Sequence, residues 1–362
     1  MAGARDALYL TQRDGVTTSL WRLPRGAKAP ERVALPIEGT VALADVDPDK
    51  DGALLVLGGW TRASATFRYQ PAPGRLTRLQ LAKPGALDAP PGILSREVLV
   101  KSHDGVMVPV SVLSRSDIKL DGSNPTLLYG YGAYGTVESP GFNPRLLAWL
   151  ERGGVYAVAH VRGGGVYGRG WHLAGQKTTK ANTWRDGIAA AEWLVANGYT
   201  RPAKLGIFGG SAGGIFAGRA ITERPELFAA GVSSVGTLDS VRMELSANGG
   251  ANVPEFGTAA REDEFRALLA MSSYHALKPG TPYPAVLLTH GVNDIRVDVW
   301  QSAKFAARAR ANPAQTKPVL MRLEYEGGHG SGSSRLQSQE RQADIWAFLL
   351  WQFGEAGFQP QP

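Results

Sequence analysis

No cysteine occurs among the 362 residues, which excludes a disulfide framework, thiolate metal sites and a thiol nucleophile in one step. Long apolar runs are missing as well: none approaches the roughly 18 residues that a membrane span needs. The first 11 residues lack the charged start and apolar stretch of a signal peptide. The expectation is a soluble protein without a membrane partner, with a cytoplasmic location favoured. Runs of basic residues are absent too. Lys and Arg exceed Asp and Glu by 39 to 32, a formal charge of +7, but the excess is spread singly along the chain. It therefore lacks the electrostatic footprint of a nucleic-acid binder, and no nucleic-acid partner is expected. The composition, 43% hydrophobic and 9% aromatic, suffices for a large core and for two domains.

Residues 1–92 read as short β segments at 8–12, 20–23, 41–44, 54–57, 66–69 and 76–79, punctuated by Asp14-Gly15, Asp51-Gly52 and Pro73-Gly74. Two stretches, 8–35 and 41–81, repeat this rhythm at the length of a propeller blade, roughly 40 residues. Two blades cannot close a propeller. The expectation is therefore a partial β-propeller whose upstream blades are missing from this chain, with an independent small sheet as the alternative. After a Pro/Gly/Ala-rich linker at 84–92, apolar alternation around Asp104-Gly105 signals a hairpin, and the second domain, 93–362, begins there. Strand-length apolar runs at 126–129, 155–161, 204–208, 230–233, 285–289 and 319–325 then alternate with helical patterns at 184–196, 214–222, 298–311 and 339–353. Asn143, Pro144 and Gly153 mark the cap, first turn and end of a further helix. The alternation predicts an α/β fold with a mostly parallel sheet flanked by helices.

The sharpest chemical signal is Gly209-Gly210-Ser211-Ala212-Gly213-Gly214, directly after a strand and before a helix. This is the G-x-S-x-G elbow of the α/β-hydrolase fold in its required setting. Its tight bend lifts Ser211 above the sheet as a candidate nucleophile and aims the N–H of Ala212 into the same space as an oxyanion donor. The segment lacks the Gly-Lys-Ser/Thr ending of a phosphate loop. A serine hydroxyl needs an imidazole to take its proton and an acid to orient that imidazole, in the chain order Ser, acid, His. His103, His160 and His172 precede the serine, and His275 and His290 precede both Asp294 and Asp298. His329, among the glycines of Gly327-Gly328-His329-Gly330-Ser331-Gly332, is then the natural base. Asp294, just past the strand at 285–289, is preferred as the acid; Asp298 is expected to cap the following helix, and Asp239 is a third candidate.

Two glycine-rich stretches, Gly130 to Gly135 and Gly163 to Gly168, match G-x-G-x-x-G after a strand. Neither is expected to open the helix that would receive a pyrophosphate, so both read as active-site loops, and no cofactor or metal is implied.

Taken in order, Leu127 to Gly132, Val161 to Gly168, Gly209 to Gly214, Asn293 to Val297 and Gly328 to Gly330 resemble the C-terminal part of prolyl oligopeptidase family serine peptidases. The resemblance implies cleavage of short peptides through an acyl-enzyme. It implies that the hydroxyl of Tyr131 joins the N–H of Ala212 at the oxyanion and that Arg296 binds a substrate carbonyl. As plain structural alternatives, Tyr131 packs under its loop and Arg296 pairs with Asp298. The family's proline preference is attributed to a tryptophan that stacks on the proline; counting from Val235-Gly236 to Phe256-Gly257, Asn252 fills that position here. Strict post-proline cleavage is thus not implied. Tyr134, Phe256 and Val297 would still line an apolar pocket, whereas Glu255 offers a carboxylate to a basic P1 side chain, as in the related oligopeptidase B. An esterase of the same fold, and an interaction module carrying a degenerate hydrolase, are the competing readings; the complete set of Ser, Asp and His argues against the latter.

Overall fold

The computed structural model describes residues 1–72, 74–330 and 333–360. Pro73 of the expected turn, and Ser331 and Gly332 of the loop around His329, lie outside the described residues. The chain divides into two compact units, Met1–Ser95 with Val137–Glu151, and Arg96–Thr136 with Arg152–Pro362.

The first unit contains two four-stranded antiparallel sheets. One orders β1 (Ala2–Gly3), β2 (Ala7–Asp14), β3 (Thr17–Pro24) and β4 (Glu31–Val33); the other orders β5 (Thr40–Asp45), β6 (Ala53–Gly59), β7 (Arg62–Gln70) and β8 (Arg75–Arg78). Side chains of a strand alternate between faces. Accordingly Ala7 and Tyr9 in β2, Leu55 and Leu57 in β6, and Phe67 and Tyr69 in β7 enter one apolar cluster. Each sheet has the four-stranded make-up of a propeller blade and occupies one of the two sequence repeats. β1 and β4 are too short to show a period in the sequence. Residues 137–151 cluster with this unit although a boundary at 92/93 groups them with the second domain. Arg13 Nη1 donates to Ser139 Oγ at 2.9 Å and Thr40 Oγ1 to the Pro140 carbonyl at 3.4 Å.

The second unit is built on an eight-stranded sheet made of β9 (Ile93–Lys101), β10 (Met107–Arg115), β11 (Thr126–Gly130), β12 (Val155–Ala159), β13 (Leu205–Gly210), β14 (Ala230–Ser234), β15 (Ala285–Gly291) and β16 (Val319–Glu324). Their spatial order is β16-β15-β14-β13-β11-β12-β10-β9. The six strands from β16 to β12 run parallel, and β10 joins β12 antiparallel. Every residue of β15 is buried, as expected for a strand covered by helices on both faces. The helices Ala181–Ala196, Gly213–Glu223, Trp300–Arg310 and Arg335–Gln352 follow the sequence periodicity. The last begins earlier than its apolar pattern suggests, because Ser334 and Gln337 form a reciprocal capping box. A mostly parallel sheet with helices about it is the α/β-hydrolase arrangement. The loops after β11, β13, β15 and β16 all leave from the carboxyl ends of parallel strands, where open α/β sheets bind ligands.

One expectation about the glycine loops needs correction. The helix Arg169–Leu173 does follow Gly168, but its five residues are a single turn of the kind too short to sustain a phosphate site, and no residue of it is buried. Among the described residues no helix is long and apolar enough to cross a membrane.

Candidate active site

β13 ends in the bend that carries Ser211. Ser211 has φ 54°, in the left-handed region, which costs an L-residue about 1–2 kcal/mol. The bend is held by its neighbours: Ser211 N–H donates to the Ser234 carbonyl at 2.9 Å, while the Ser211 carbonyl accepts from Gly214 at 2.8 Å and Thr237 at 3.0 Å. Small residues are needed because backbone packs on backbone. A Cβ added at Gly209 would lie 1.9 Å from the Gly213 carbonyl oxygen, and one at Gly214 would lie 2.7 Å from Gly236 Cα. We therefore expect Gly209→Ala to cost about 3 kcal/mol or more; thermal unfolding that matches the parent would contradict this packing. Ala212 is buried at the N-cap position of the helix Gly213–Glu223, so its N–H directly follows the raised serine.

His329 Nε2 lies 2.8 Å from Ser211 Oγ, and its Nδ1 lies 2.7 Å from Asp294 Oδ2. A carboxylate only accepts, so Nδ1 carries the proton and Nε2 is left to accept from the serine hydroxyl. Asp294 Oδ1 in turn accepts the N–H groups of Arg296 and Val297, each at 2.9 Å. Burial alone would push the Asp294 carboxyl up. Hydrogen bonds from His290, from His329 and from the Val297 and Arg296 N–H groups outweigh it and hold the group well below the ordinary carboxylate range. The loops bearing acid and base are also joined: Val292 N–H donates to the Glu324 carbonyl at 2.9 Å, Asn293 N–H to that of Gly327 at 3.0 Å, and Asn293 Nδ2 to that of Tyr325 at 2.9 Å.

Asp298 does not cap the helix Trp300–Arg310. Val299 holds the N-cap position without a side-chain bond, and the Asp298 carboxylate accepts the Trp300 indole N–H at 2.9 Å instead. Asp239 is fully buried and takes the ammonium of Lys304, remote from His329 in its bonding.

The residues expected to face substrate fall into two groups. Tyr131 follows β11 and reaches the elbow, since a Cβ at Gly213 would lie 3.4 Å from its Cα and from its Cδ2. Arg296 is exposed, Val297 buried, and both are tied to Asp294 through their N–H groups. Tyr134 stands over the helix Gly249–Phe256: its hydroxyl donates to Asn252 Oδ1 at 2.7 Å and its ring meets Phe256 edge-on at 5.5 Å. Burial pushes the Tyr134 phenol up, so it remains a donor. Glu255, expected to meet a basic substrate side chain, is turned inward. Its side chain is 4% exposed. Oε1 accepts the Tyr134 N–H at 2.8 Å and Oε2 pairs with His172 Nε2 at 2.7 Å. Sequence reasoning missed three supporting residues. His290, at the end of β15, lies with Nε2 3.4 Å from Asp294 Oδ2 and bonds the Val297 carbonyl at 2.8 Å; its i, i+4 spacing to Asp294 was visible but had no meaning in a loop of unknown shape. Lys180 and His172, the other two, join the site only through tertiary contacts.

A bend raising a serine, with an imidazole and a carboxylate delivered by later loops of one parallel sheet, defines an α/β-hydrolase with a hydrogen-bonded Ser–His–Asp chain. The profile of the Prolyl oligopeptidase family, Peptidase_S9, matches residues 140–356. A prolyl endopeptidase of Elizabethkingia miricola is 38% identical over 273 residues, 75% of this chain and 39% of that protein. A solved prolyl endopeptidase superposes with a TM-score of 0.90 at 35% identity, covering 98% of this chain and 52% of the other. Oligopeptidase B from Leishmania major superposes with a TM-score of 0.87 at 25% identity, covering 98% and 51%. The chain belongs to the prolyl oligopeptidase family. It spans about two fifths to one half of the length of these relatives.

Proposed function

We propose that this chain carries the catalytic machinery of a serine peptidase that hydrolyses short peptides through an acyl-enzyme. The observation that supports this most is the unbroken Ser211–His329–Asp294 hydrogen-bond chain. In this reading Ser211 attacks the scissile carbonyl while His329 Nε2 takes its proton. Asp294 keeps the imidazole in the required tautomer and stabilises it when it becomes charged. The carbonyl oxygen becomes an oxyanion held by the Ala212 N–H and the Tyr131 hydroxyl, and collapse expels the amine, which receives the proton from His329. Water then repeats the sequence on the acyl-enzyme. Arg296, exposed beside the acid loop, would hold a substrate carbonyl in register.

For the P1 side chain, the inward commitment of Glu255 favours a neutral residue over a basic one. Tyr134 supplies exposed apolar surface with Phe256 packed against its ring, and by the family resemblance the Asn252 amide takes the position of the tryptophan that stacks on proline. A peptide library scanned at P1, with cleavage sites mapped by mass spectrometry, is expected to show cleavage after small or proline residues; dominant cleavage after Lys or Arg would overturn the P1 assignment. A fluorophosphonate probe tests the chemistry itself, with labelling expected at Ser211. An unlabelled serine would favour a non-catalytic interaction module.

A further inference from the structure

A buried ammonium lies beneath the loop that presents Tyr131 and Tyr134. Lys180 is 1% exposed, and its Nζ donates to the carbonyl of Gly132. Glu255 Oε1 is 4.0 Å from that nitrogen and the Phe256 ring centroid is 5.4 Å from it. The same Glu255 oxygen accepts the N–H of Tyr134, a residue held at φ 56°. The carboxylate's other oxygen is bound by His172 and, at 3.4 Å, by Gln176. One ion pair therefore grips the loop twice, by a carbonyl one residue after Tyr131 and by an N–H three residues after it. Desolvating an ammonium and a carboxylate is costly, and an apolar pair of similar volume would fill the space at least as well. An apolar pair would leave the Gly132 carbonyl and the Tyr134 N–H without these partners, and with them the loop conformation that carries the tyrosines. Burial also pushes the Lys180 ammonium down, to about 8, against the pull of Glu255, the behaviour of a charge enclosed by protein.

We infer that Lys180 and Glu255 are positioning residues for the reaction: their buried ion pair fixes the loop from Tyr131 to Tyr134 so that the Tyr131 hydroxyl meets the oxyanion. The inference rests on the peptidase reading and on the oxyanion role of Tyr131. It predicts a defect in transition-state stabilisation rather than in substrate capture. Lys180→Met, measured on the full chain with an internally quenched peptide, should lower kcat about tenfold or more while KM moves less than about threefold. Glu255→Gln keeps an acceptor for the Tyr134 N–H and should fold even where the methionine variant does not; it should give a smaller loss of the same kind. The decisive measurement is the cycle with Tyr131→Phe. If the pair acts through that phenol, adding Lys180→Met or Glu255→Gln to Tyr131→Phe costs little more than Tyr131→Phe alone. Losses that multiply, a rise in KM at constant kcat, or parental kcat in both pair variants would overturn the positioning role. A parental chain that neither labels with fluorophosphonate nor cleaves peptide, or a Tyr131→Phe variant with parental kcat, would instead bring down the reading beneath it, and the inference with it.

Discussion

Ser211→Ala is expected to retain the fold and to lose turnover by about 10⁶-fold, the order found when the nucleophile of such a hydrogen-bonded set is removed. The size follows from the chemistry. Without Oγ no acyl-enzyme forms, and only oxyanion donors and substrate binding remain to help water attack directly. Substrate binding should persist, because the proposed substrate contacts, Arg296 and Tyr134, are untouched, so the variant should hold a peptide it does not cleave. The bend is held by the Ser211 N–H and carbonyl, whereas the hydroxyl pairs with His329. Thermal unfolding should thus stay near that of the parent. A variant that still cleaves peptide at a comparable rate would remove Ser211 from the mechanism.

Asp294→Asn should cost about 10⁴-fold in kcat, whereas Asp298→Asn should stay within a few-fold of the parent. An amide at 294 offers a donor to His329 and so favours the tautomer whose Nε2 is protonated and unable to accept from the serine. The Asp298 carboxylate accepts the Trp300 indole N–H and its carbonyl accepts the N–H of Gln301, neither of which reaches His329. The reverse ranking would move the acid role. The two variants also differ in stability against pH. The Asp294 carboxyl titrates lower in the folded chain than in the unfolded one. Its contribution is therefore complete above the ordinary carboxylate range and is lost as pH falls toward the depressed value. Asp294→Asn should unfold at a lower temperature than the parent at neutral pH, and the gap should narrow at about pH 3, below the usual aspartate value.

Much of this architecture was legible because it is written in local pattern. The runs that became β11, β13, β14, β15 and β16 each hold a short block of apolar residues, such as Leu127-Leu128 and Val286-Leu287-Leu288, and the glycines around Ser211 suit a crowded bend. The Ser, Asp, His order was legible too, since each residue follows a strand. What escaped is what depends on distant partners. The helix Gly249–Phe256 opens on two glycines and contains Pro254, so its sequence reads as loop; contacts such as that of Tyr134 with Asn252 and Phe256 hold it. The inward turn of Glu255 was invisible because its partners, Tyr134, His172 and Lys180, lie 75 or more positions away. Residues 137–151 joined the first unit through Arg13 and Thr40, for which no neighbouring pattern gives a sign.

The tethering of the loop after β15 to the loop after β16 has a consequence for how this chemistry would fail. Asn293 is fastened to the backbone at both Tyr325 and Gly327, so the loops that carry Asp294 and His329 are tied directly to each other, while the Ser211 N–H is tied to β14. A shift of those two loops together is expected to lengthen the Ser211–His329 contact before the Asp294–His329 one. Under the proposed mechanism, such a shift would show as a stretched proton path on the serine side of the imidazole only, and equal lengthening on both sides would contradict it.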